Sequence, residues 1–90
     1  MDTDKKMPKI GEVWDIPVWL QWRGGAMWNV PVEVVEIETP TPEWTYVTVR
    51  LLLDDIPAGD NGLRSAMPEQ FKASRLAASV DEYRALRREA

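Results

Sequence analysis

Three observations predict a mostly β domain that ends in a helix. Val47, Val49, Leu51 and Leu53 alternate with Tyr46, Thr48 and Arg50, the period-two pattern of a half-buried strand. Proline and glycine turn signals recur between short apolar runs. Residues 69–89, by contrast, hold no Gly or Pro and many good helix formers. At 90 residues the chain is one domain. A chain of this length buries only about 60–65% of its unfolded surface, so its core has to be efficient.

Each element has its own local signature. Residues 1–9 read as a flexible polar leader with no apolar export-signal core. Pro8-Lys9-Ile10-Gly11 turns into a strand over Glu12–Ile16, with Ile10, Trp14 and Ile16 on one side. Pro17 demotes the residues after it to an edge or a loop. Val18–Trp28 is apolar but not periodic, and Arg23-Gly24-Gly25 within it is a strong turn signal. The second strand spans Asn29–Glu38. Val30, Val32 and Val34 share one side, then Val35 and Ile37 the other, which predicts a bulge near Val34-Val35.

Thr39-Pro40-Thr41-Pro42 is a stiff connector to the third strand, Trp44–Leu53. Asp54–Gly62 is a loop closed by the hairpin-type pair Asn61-Gly62. Leu63–Met67 forms a short fourth strand, and Pro68–Phe71 a single helical turn with Pro68 at its first position. One helix over the whole of 69–89 fits the pattern; so does a separate helix over Val80–Arg88, capped by Ser79 with Glu82 three residues on. The second is favoured, which leaves Phe71–Ala78 as a final short strand or an earlier helix. The domain organisation is therefore a leader (1–9), a β domain (10–78) and a C-terminal helix (79–90).

Composition excludes whole classes of function. There is no Cys and no His, so disulfides, His-ligated zinc, His-based triads and Cys nucleophiles are all ruled out. No conventional enzyme, cofactor or metal site is expected. Asp54-Asp55 reads as a solvated turn, and Asp60 begins D-N-G-L, which lacks the ligand spacing of a calcium loop. Gly24-Gly25 lacks the frame of a phosphate cradle. No apolar run approaches the roughly 20 residues needed to span a bilayer, and the cytoplasm is the expected location.

The net charge of −4 is unevenly spread. Residues 10–62 carry nine acids against two bases, whereas residues 63–90 carry six bases against four acids. An acidic body repels phosphates, so direct nucleic-acid binding is not expected. Glu33, Glu36 and Glu38 on the second strand suit a protein partner with a basic surface, including a nucleic-acid-binding complex. Five tryptophans exceed the obvious needs of so small a core. Each buried aromatic removes about 150–250 Å² from water, roughly 4–6 kcal/mol before entropy. Trp19, Trp22 and Trp28, beside Arg23, either fold back over an open end of the domain or form an interaction surface, for which Trp and Arg are the enriched residues. Trp44 edges the same acidic region.

P-K-I-G-E-V-W at Pro8–Trp14, the Val-rich second strand, Y-V-T-V-R-L at Tyr46–Leu51 and M-P-E-Q-F at Met67–Phe71 together resemble small SH3-like barrel proteins often found in phage and prophage genomes. That resemblance implies a five-stranded SH3-like barrel followed by the C-terminal α-helix, and by itself no activity. Gly11–Trp14 is also similar to the opening of MazF-type endoribonuclease toxins. In such a relic Arg23 and Arg50 would be the phosphate ligands, but Val30-Pro31-Val32 lacks the arginine those toxins carry before the proline. The expected function is a non-enzymatic protein-binding module, an anti-CRISPR-like accessory inhibitor in its sharpest form. Its protein-binding residues are Trp19, Trp22, Arg23, Trp28, Glu33, Glu36, Glu38 and Trp44. A structural subunit that homo-dimerises through its Trp surface is the alternative.

Overall fold

A computed structural model describes residues 7–71 and 75–89. Five strands form one antiparallel sheet: β1 (Val13–Leu20), β2 (Ala26–Thr41), β3 (Trp44–Leu51), β4 (Leu63–Ala66) and β5 (Arg75–Ala77), in the order β4-β3-β2-β1-β5. The helix α1 (Val80–Glu89) comes after β5. Among the described residues no ladder joins β4 to β5, so hydrogen bonds do not close the sheet into a barrel. Residues 1–6 of the expected leader, and 72–74 of the stretch left open between strand and helix, lie outside the described residues.

β2 organises the sheet. Its first half pairs with β1, Ala26 to Glu33 against Leu20 to Val13, and its second half pairs with β3. The register shifts between Val34↔Val49 and Glu36↔Thr48, which leaves Val35 as the extra residue of a bulge. The phase change in the sequence is thus a bulge at the expected place. It matters because side chains alternate faces along a strand, and one inserted residue restores the phase. Val30, Val32 and Val34 point into the core before the bulge and Ile37 packs against it afterwards. Glu33, Glu36 and Glu38 all lie opposite Arg50, Thr48 and Tyr46, on the outer face.

The core is built from Trp14, Ile16, Val18 and Leu20 of β1, the three valines of β2, Val47, Val49 and Leu51 of β3, with Ala66 and Phe71. Phe71 ends the predicted turn at Pro68–Gln70 and meets Trp14 edge-to-face, centroids 5.5 Å apart. The polar tip of Trp14 is satisfied by Glu12: the indole N–H donates to Oε1 at 3.0 Å, the Lys9 amide donates to the same oxygen at 2.8 Å, and Arg75 reaches Oε2 at 3.2 Å. Burial pushes the Glu12 carboxyl up, but these donors outweigh it and hold it below its ordinary value. Pro8 is fully buried, so the chain joins the fold ahead of residue 10.

Several local expectations are corrected. Ile10 is not in the core but exposed. Of the two readings that Pro17 allows, the edge holds: β1 runs through Pro17 to Leu20, and among the described residues β5 pairs only with its Val13 and Trp14. The reason is geometric. The Pro31 carbonyl accepts from the Leu52 N–H, so Pro31 faces β3, away from its partner Asp15. Pro17, two places on, therefore faces away from β2, and its missing donor removes no bond of that ladder. Val18–Trp28 is accordingly not a loop but a hairpin, irregular only over residues 21–25. Residues 39–41 continue β2, and only Pro42-Glu43 turn. In the stretch left open, Arg75–Ala77 is a strand. Ser79 caps α1 by accepting the Glu82 N–H at 3.1 Å, while Glu82 returns to the Ala78 N–H at 2.8 Å.

Deleting Val35 joins Val34 to Glu36 and leaves Val30, Val32, Val34 and Ile37 alternating with Glu33, Glu36 and Glu38, so both faces are kept without a bulge. A carboxylate at position 34, which is fully buried, costs several kcal/mol, comparable with the whole stability of a small domain. The Val35 deletion is therefore expected to retain a cooperative thermal transition by circular dichroism, while Val34→Glu is expected to abolish it.

Candidate protein-binding surface

The hairpin tip is set by its glycines. After Leu20 the chain makes one tight turn over Gln21–Arg23, and Gly24 and Gly25 take φ of 81° and 62°. Gly25 also faces Trp19, since a Cβ there would stand 3.3 Å from the Trp19 ring.

Two groups of aromatic residues result, on opposite faces. Trp28 lies opposite Val18 and so belongs to the core face, at its rim. Its indole N–H donates to the Arg23 carbonyl at 3.2 Å, and the Arg23 guanidinium stands 5.0 Å from its ring centre. Arg23 grips Asp55 with two bonds, of 2.9 and 3.0 Å, and the Trp22 N–H donates to the same carboxylate at 2.9 Å. Arg64 lies 6.0 Å from the Trp22 ring and pairs with Asp60 through contacts of 2.9 and 3.1 Å. The series Trp28, Arg23, Asp55, Trp22, Arg64, Asp60 ties the hairpin tip to the loop between β3 and β4.

This brings three expected binding residues, Trp22, Arg23 and Trp28, into one internal network. Trp22 is half-buried against the core. Asp55 is not the free turn residue that adjacency with Asp54 suggests: Arg23, with help from Trp22, lowers its pKa to about 2. Arg64, with the Gly62 amide, lowers that of Asp60. Of the two arginines a ribonuclease would use, Arg23 is held by Asp55 and Arg50 by Glu33 at 3.7 Å on the other face.

The outer face holds the second group. Trp19 pairs with Met27 at the hairpin end. Tyr46 pairs with Glu38, and Trp44 with Thr41, at the far end of β2. Trp19 is 52% exposed and Trp44 51%, against 4% for Trp14, which separates surface from core tryptophan. Trp19 donates to Gln21 at 3.2 Å. The Trp44 indole N–H has no hydrogen-bond partner among the described residues. Between these ends lie Glu33, Glu36 and Glu38. Glu38 raises the pKa of Glu36, first through a hydrogen bond shared between the two carboxyl groups and then through like-charge repulsion.

Tyr46 and Met27 complete the apolar ends of this face. The alternation of β3 places Tyr46 outward in the sequence, but nothing there pairs Met27 with Trp19. Among the described residues, no group of three or more acidic side chains converges as a metal site, and no helix is long and apolar enough to cross a membrane. Comparison with known protein families, with curated proteins and with solved structures finds no match for this chain.

The carboxylates with lowered pKa make acid stability a test of the network. Each binds fewer protons folded than unfolded, so its contribution is complete above the unfolded carboxylate range, near pH 4, and is lost as pH falls toward the folded value. The urea midpoint is expected to fall between about pH 4 and pH 2. Asp55→Asn is expected to lower the midpoint at neutral pH and to flatten that acid decline. An unchanged acid decline in the variant would contradict the pairing.

Proposed function

We propose that this chain is a non-enzymatic protein-binding module whose outer sheet face docks a partner with a basic surface. The observation that carries this reading is that Glu33, before the Val35 bulge, and Glu36 and Glu38, after it, share one face between Trp19–Met27 at one end and Trp44–Tyr46 at the other. Charge of one sign speeds encounter and fixes orientation, whereas exposed aromatic anchors supply affinity. Trp22, Arg23 and Trp28 support the site by holding the hairpin that carries Trp19. In its sharpest form the module is a phage or mobile-element accessory protein. It occupies the basic surface of a nucleic-acid-handling or defence complex and so inhibits it.

The test is affinity capture from a bacterial lysate with the wild-type chain and two variant sets. With a captured partner, Trp19→Ala and Trp44→Ala are each expected to cost about 2 kcal/mol, roughly thirtyfold in Kd. The triple change Glu33→Gln, Glu36→Gln, Glu38→Gln is expected to slow association and remove most of its salt dependence between about 50 and 500 mM. Recovery that neither set alters would sink the proposal.

A further inference from the structure

The outer face and the C-terminal helix carry opposite charges that are unpaired among the described residues. Glu36 and Glu38 project side by side from β2, and no cation of the described residues lies within ion-pairing distance of either. On α1, Arg87 turns back to Tyr83, 3.4 Å from its hydroxyl and 5.7 Å from its ring centre. Arg84 and Arg88 make no ion pair or hydrogen bond with the described residues.

The two sets match in spacing. Residues two apart on a strand are separated by about 6.7 Å. Residues four apart on a helix lie on one face about 6 Å apart. Within one chain the sets sit apart, because α1 follows β5 at one end of the strand order while Glu36 and Glu38 pair with β3 toward the other. The helix also lacks a buried stripe: none of its residues from Val80 to Arg88 is fully buried. A helix of about ten residues is marginal in water without packing. Trp44 and Tyr46, exposed beside the glutamates, offer ring faces on which a guanidinium stacks.

We infer that the outer face takes α1 of a second copy of this chain, with Arg84 and Arg88 of one protomer on Glu36 and Glu38 of the other. This rests on the reading of that face as a protein-binding surface and names its partner. Two such contacts related by a two-fold axis close a dimer. Exposed ion pairs are individually weak, so the association is concentration-dependent and loosens as salt rises.

Charge reversal with mixing, read by light scattering and sedimentation of the full chain, tests it. The wild type is expected to associate in about 50 mM salt and to dissociate in about 500 mM. Glu36→Lys with Glu38→Lys, and Arg84→Glu with Arg88→Glu, are each expected to weaken self-association by about tenfold or more. Mixed in equal amounts they are expected to form a one-to-one dimer, because every reciprocal contact is again between opposite charges. All four positions are exposed, and circular dichroism checks that both variants fold. A wild type that stays monomeric to about 1 mM, or association that both reversals leave unchanged, overturns the inference. An unrelated arginine-rich peptide separates the two readings. If it shifts Trp emission of a monomeric wild type but not of the Glu→Lys variant, the face is a protein-binding surface without the second copy. No response to peptide and no self-association removes both.

Discussion

The outer face depends on the bulge at Val35. A strand written with valines at 30, 32 and 34 and glutamates at 36 and 38 would bury both charges if it ran without interruption. The extra residue returns the strand to phase, so one run of chain lines the core with its first half and presents carboxylates with its second. It also lets β2 serve both β1 and β3, a long strand changing neighbours where it bends. Val34 sits at the junction: its carbonyl accepts from Gly11 and its N–H donates to Glu12, fixing the entry of the chain to the same point.

The tryptophans divide into distinct structural roles. Trp14 is core, and its one polar atom is met by Glu12, which also gathers the Lys9 amide and Arg75 and thereby links the chain entry, β1 and β5. Trp22 and Trp28 flank the Arg23–Asp55 pair and close the rim of the core. Planar guanidinium groups suit this role, since each bonds a carboxylate in its plane and stacks on an indole with its face. Trp19 and Trp44 remain on the outer side, at opposite ends of β2. A core of aliphatic strands thus keeps Trp14, the rim ties Trp22 and the still exposed Trp28 to the Arg23–Asp55 pair, and Trp19 and Trp44 stand exposed on the outer face.

The helix is bound locally rather than by burial. Its start is fixed by Ser79 and Glu82, with Asp81 and Glu82 in the first turn and Arg87 and Arg88 in the last, the order that the helix dipole favours. Its body leaves no residue fully buried between Val80 and Arg88. Local stabilisation of this kind fixes the start of a charged helix and leaves its arginines accessible.

Local patterning by itself determined the central residues of β1 to β4, the bulge, the Pro68 turn, the Ser79 cap and the outward set of Glu33, Tyr46 and Arg50, because each depends on neighbours within a few positions. Pro17 leaves an edge and a loop open, and pairing decides for the edge, since what a proline costs depends on whether its nitrogen faces a partner strand. Only the tertiary structure decided which tryptophans are surface. Arg23 meets Asp55 across 32 positions and Arg75 meets Glu12 across 63, and no periodicity encodes such a meeting. Side-chain alternation is written along the chain, whereas which faces meet, and which aromatic residue is left without a neighbour, is set by how the strands are laid side by side.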